Sequence, residues 1–205
     1  MKTNVTTRTT KMVELALLIA IVILMAFTPI GYIKTLGLEI TLLVVPVTVG
    51  AIALGPISGA ILGGVFGITS FIQCFGMSPF GAVLLGINPI GTLILCIVPR
   101  ILMGWLSGLV FKGLQKGNTT KKFSFAITSL AGPIFNTLFF MTTLVLFFYN
   151  TEYIQSFATA LNTKNVFTFV ILFVGVNGLI EAGICFILGT AISRALAKFR
   201  MKAGK

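Results

Sequence analysis

Apolar residues run through the chain in long blocks, and short polar or Gly/Pro-rich breaks separate them. A helix that crosses a bilayer needs about 20 mostly apolar residues. On that measure the pattern predicts six helices, roughly over 11–30, 39–54, 57–75, 92–115, 123–149 and 166–198. "TPIGY" stops the first, and Gly55-Pro56 ends the short second. Pro46 lies inside that second block and predicts a kink or tilt there. The stretch "GMSPFGAVLLGINPIG", 76–91, is oily but punctuated by Gly and Pro, so it reads as a loop, not a straight span. The expected fold is an all-α integral membrane protein, one membrane domain over 1–205 built as a compact bundle of six transmembrane helices.

Composition agrees. Of 205 residues, 57% are hydrophobic and 9% charged, where a soluble domain carries about 25% charged residues. The first apolar block is longer than the roughly 7–15 residues of a signal peptide and lacks a clean small-residue cleavage site, so it reads as a retained helix.

The net charge is +11, yet its distribution argues against nucleic acid. Twelve of the 15 Lys and Arg fall in the first eleven residues, in the 112–122 loop and in the tail from Arg194. Only Lys34 and Lys164 fall in the alternate loops, and Arg100 lies within a span. Basic residues collect on the cytoplasmic side of membrane proteins. Both termini are therefore expected in the cytoplasm.

Four glycines, Gly55, Gly59, Gly63 and Gly67, recur every fourth residue in "GPISGAILGGVFG". Glycine costs about 1 kcal/mol relative to alanine inside a helix. In lipid that cost is offset where small residues let two helix backbones meet. The stripe predicts packing within the bundle or a surface for another membrane protein. Gly104 and Gly108 have the same spacing, and so do Ala16 and Ala20 on the first helix.

Polar groups at membrane depth are costly and are default site candidates. The candidates are Asn88, Arg100, Asn136, Asn177 and Glu181. Asn177 and Glu181 are four residues apart and share a helix face. Arg100 and Glu181 either neutralise each other or face a ligand. An Arg fork suits a carboxylate, and Asn and Glu suit amides and hydroxyls. For Asn88 and Asn136, helix capping or interhelical bonding is an equal alternative, and Gln73 reads as facing headgroups. Cys74, Cys96 and Cys185 lie far apart in apolar runs and read as packing residues. The chain has no His and no phosphate-binding Gly-Lys loop, which removes imidazole chemistry and a P-loop ATPase. No enzyme activity, cofactor or metal is expected. A cavity without an energy source suggests a binding subunit driven by partners; the alternative is a self-sufficient facilitator or channel.

The run Pro46, Gly50, Ala51, Gly55, Pro56, Gly59, Gly63 resembles the substrate-binding S components of energy-coupling factor (ECF) vitamin transporters, and the resemblance covers the whole length. "GINPIGTLILCIVPRILMGW" is similar to the pantothenate-type branch through Asn88, Pro89, Pro99, Arg100 and Gly104. The resemblance implies capture of a vitamin or precursor from outside. It also implies docking through Ala16 and Ala20 onto a transmembrane T component that carries two cytoplasmic ATPases. It places the site near the outer face, at Arg100, Asn136, Asn177 and Glu181 with Asn88 in the loop, and makes 76–91 a lid. One Trp and three Tyr are thin for a thiamin binder, so an acid with amide and hydroxyl groups, such as pantothenate, is favoured.

Overall fold

A computed structural model describes residues 2–33, 40–117, 123–163 and 165–203. Helix α1 spans Lys2–Ala26, α2 Val44–Leu54 and α3 Pro56–Gln73. Helix α4 spans Pro79–Ile87, α5 Pro89–Leu114, α6 Ser124–Phe148 and α7 Glu152–Ala160. Helix α8 spans Val166–Ile184 and continues through a π turn, Cys185–Gly189, into α9, Thr190–Ala203. Two short strands, β1 (Tyr32–Ile33) and β2 (Ile40–Thr41), pair antiparallel between α1 and α2, with Tyr32 opposite Thr41.

Among the described residues, five helical stretches are long and apolar enough to cross a membrane. They are Arg8–Ala26, Pro56–Gln73, Pro89–Leu114, Ser124–Phe148 and Asn177–Phe199; Val44–Leu54 and Val166–Gly175 are shorter apolar helices. The protein is a multi-pass membrane protein. Lys34, Lys121, Lys122, Lys164 and Lys205, which entered the charge count, lie outside the described residues, as do the side chains of Lys2, Arg200 and Lys202.

Several boundaries differ from the sequence expectation. The second helix starts at Val44, not 39, because Ile40 and Thr41 join the strand pair. Pro46 is its third residue. A first-turn N–H has no partner within the helix, so proline fits there without a kink. The 76–91 stretch holds α4 and the first turn of α5. Ser78 Oγ accepts from Gly81 N ahead of Pro79, and Asn88 Oδ1 accepts from Gly91 N ahead of Pro89. A capping side chain followed by proline starts a helix, and here it does so twice. Likewise Thr151 caps α7 by accepting from Ile154 N. The 166–198 block is not one straight rod. At about 1.5 Å per residue it would far outrun a bilayer core, and it breaks at Gly175, where φ is 34° and ψ is −126°.

Helix α2 is apolar on every side, and nine of its residues, Val44 to Ile52, are buried. Such a helix belongs in the centre. Val44, Val47, Leu62, Phe66 and Met103 form one core cluster with Val22 and Ala26 of α1. A second cluster joins Leu84, Leu95, Met141, Leu144, Phe148, Ile154, Phe169 and Phe173. Between the two cores, α3 and α5 run antiparallel in close contact. A Cβ on Gly63 would stand 2.7 Å from the Arg100 carbonyl carbon, and one on Gly67 would stand 2.7 Å from Ile97 Cα. Gly59 and Gly104 face each other backbone to backbone. Gly55 acts differently: a Cβ there would meet nothing, but its φ of 104° lets the chain turn from α2 into α3.

Candidate functional site

The α3–α5 seam ends at a cavity of about 110 Å³, several times the room one water needs. Ser70 and Gln73 of α3 line it, with Thr92, Cys96 and Arg100 of α5. Asn136, Thr137 and Phe140 of α6, Asn177 and Glu181 of α8, Ser78, and Tyr32 and Thr41 of the strand pair also line it. Phe80 and Leu84 of α4 contribute apolar wall.

Arg100 is 5% exposed, and its local sequence explains its seat. Pro99 has no N–H, so it cannot donate to the carbonyl four residues back, that of Leu95. Arg100 Nη1 donates to Leu95 O instead, at 2.5 Å. Helical side chains lean toward the N-terminus, which makes the reach short. The guanidinium also lies over two rings, 5.3 Å from the centroid of Phe66 and 4.8 Å from that of Phe140. Its Nε is buried without a partner.

Glu181 is 7% exposed. A carboxylate out of water must be hydrogen-bonded. Its Oε2 accepts from Thr41 N at 3.3 Å and Thr41 Oγ1 at 3.0 Å, and its Oε1 accepts from Asn136 Nδ2 at 3.3 Å. Asn136 Oδ1 is buried without a partner. The two charges thus line one cavity while their hydrogen bonds run to different neighbours. Arg100 Nε and Asn136 Oδ1 are thus buried polar atoms without a partner, on residues that line a cavity walled partly by rings.

Four of the five candidates, Arg100, Asn136, Asn177 and Glu181, line this cavity. Asn88 does not; its side chain caps α5. Sequence reasoning missed Thr41, whose role depends on the strand pair bringing it 140 positions across the chain to Glu181. It also placed Gln73 at the headgroups. Gln73 is buried and donates to Ala26 O, tying α3 to the end of α1. The lone polar residue in "ITLLVV", 40–45, was the available sign for Thr41. Ala16 and Ala20 do not line the cavity and are exposed on α1, while Leu15, Leu18 and Ile19 of the same helix pack on the core.

Residues 10–193 match the family model of the ECF transporter substrate-specific component. The chain is 33% identical over 176 residues to the pantothenic acid transporter PanT of Lactococcus lactis subsp. cremoris, covering 78% of this chain and 79% of that protein. The match spans every helix that lines the cavity, and the chain belongs to the substrate-specific components of ECF transporters.

Proposed function

We propose that the chain captures pantothenate outside the cell and delivers it inward as one membrane domain. In this reading it works with a transmembrane T component and two cytoplasmic ATPases. The observation that carries this is the pair of orphaned groups on the cavity residues, Arg100 Nε and Asn136 Oδ1. Pantothenate has a carboxylate for the Arg100 fork, and an amide N–H and hydroxyls for Asn136, Asn177 and Glu181. The name of the Lactococcus relative supports the same ligand. Asn88 acts at one remove, by setting the start of α5.

The bundle counts six passes if α2 is the second and α8 with α9 the sixth, with both termini in the cytoplasm. Arg8, Lys11, Lys112, Lys116, Arg194 and Lys198 then sit at helix ends away from the cavity, as the positive-inside rule asks. The exposed Ala16 and Ala20 form the flat strip on α1 where the T component docks. Gly59, Gly63 and Gly67 hold α3 against α5 inside the bundle.

Calorimetric titration of the purified protein with pantothenate tests the ligand; heat of binding at one site per chain is expected, and its absence sinks this reading. Ala16→Trp with Ala20→Trp tests the docking. Uptake in cells is expected to stop while titration still shows binding. Uptake by the chain alone in liposomes would instead point to a facilitator.

A further inference from the structure

Cys74 and Cys96 are 22 positions apart, yet the fold brings their sulfurs to 3.8 Å. Neither is in a disulfide, and both line the cavity. We propose that they form a redox-sensitive dithiol in the cavity wall, which a peroxide oxidises to an intramolecular disulfide that lowers ligand affinity.

A disulfide needs its sulfurs about 2.05 Å apart, so the two atoms must close by roughly 1.8 Å. Cys74 is placed to move. It is the C-cap of α3, and Gly76, with φ of 122°, follows two residues on. Cys96 is held in the middle of α5, one turn before Arg100 and on the same helix face.

The chemistry balances. One thiol, as thiolate, attacks a peroxide oxygen and becomes a sulfenic acid; the displaced hydroxide takes up the thiol's proton as water. The second thiol attacks the sulfenic sulfur, the S–S bond forms, and a second water leaves. Two thiols and one hydrogen peroxide give one disulfide and two waters; sulfur is oxidised and peroxide oxygen reduced.

The bond would pull on three parts of the site. Helix α4 rests directly on Cys74, since a Cβ on Gly81 would stand 2.6 Å from its sulfur. Gln73, next to Cys74, holds the end of α1. Arg100 sits on the wall that Cys96 would drag. The bond itself follows from geometry; the loss of affinity rests on the pantothenate reading above.

The test treats the purified full-length protein with hydrogen peroxide and reads it twice. Peptide mass spectrometry is expected to show a Cys74–Cys96 crosslink and the loss of two hydrogens. Titration with pantothenate is expected to show affinity at least tenfold weaker, restored by a dithiol reductant. The ratio of affinities before and after peroxide is expected to fall to one in Cys74→Ser and in Cys96→Ser, and to persist in Cys185→Ser. Peroxide-treated protein with no such crosslink would overturn the dithiol. A crosslink with unchanged affinity would overturn its effect on binding. Reduced protein that binds no pantothenate would overturn the functional reading and the affinity effect, while the mass still decides the crosslink.

Discussion

The α3–α5 seam and the cavity beside it share a helix, α5, but they are held by opposite means. Along the seam backbone meets backbone: Gly59 on Gly104, Gly63 on Arg100, Gly67 on Ile97. At the cavity side chains do the work, with Thr41 and Asn136 on Glu181, and Arg100 on Leu95 O and two rings. Lipid offers no hydrophobic drive for helices to associate, so close backbone contact must supply it. The seam is therefore intolerant of added atoms. The cavity is expected to tolerate substitution in the fold and to show it in binding.

The largest expected effect falls on the seam. Gly63→Val would drive a side chain into the Arg100 backbone, which cannot swing aside as a flexible side chain can. A stability loss of about 3 kcal/mol, the upper end for overpacking, is expected in thermal or denaturant unfolding in detergent. An unchanged midpoint would mean that α3 and α5 do not meet there.

Next comes Arg100→Met, which keeps an apolar stem against Phe66 and Phe140 and removes the fork. A charge-assisted hydrogen bond contributes about 1.5–3 kcal/mol, so pantothenate affinity is expected to fall roughly 10- to 150-fold. The midpoint without ligand should move much less than in Gly63→Val. If affinity holds and the midpoint drops instead, Arg100 belongs with the seam.

Pro99→Ala sharpens the contrast, because it should push stability and binding in opposite directions. The new N–H competes for Leu95 O and frees the guanidinium. Unfolding should require more denaturant, while affinity drops by about fivefold to tenfold, roughly 1 kcal/mol. Loss of both would argue that the helix needs its proline for shape.

The smallest effect is expected one residue from the largest. A Cβ on Gly64 would meet only the Ile101 side chain, at 3.7 Å. Gly64→Ala should change stability by no more than about 1 kcal/mol, on the favourable side, from helix propensity. A cost equal to that of Gly63→Val would show that the seam is wider than the contact geometry describes.

Much of this was legible in the residues alone. Block length and the clustering of Lys and Arg identify a multi-pass membrane protein, because spanning a bilayer is a constraint on consecutive residues. The scarcity of polar groups at depth singled out Arg100, Asn136, Asn177 and Glu181, since each is expensive there without a purpose. Period-four glycines marked α3 for close packing. Pro79 and Pro89 misled only because proline both ends helices and begins them; Ser78 and Asn88 before them decide which.

Tertiary structure alone decided the rest. No spacing rule brings Thr41 to Glu181, buries Gln73 against the end of α1, or sets Cys74 beside Cys96. Each of these is a contact between elements, made by how α3, α5, α8 and the strand pair meet in space. The sequence by itself determined which residues a bilayer would make costly; only the packing of the helices decided which of them share a cavity, because that depends on distance between helices in space and not along the chain.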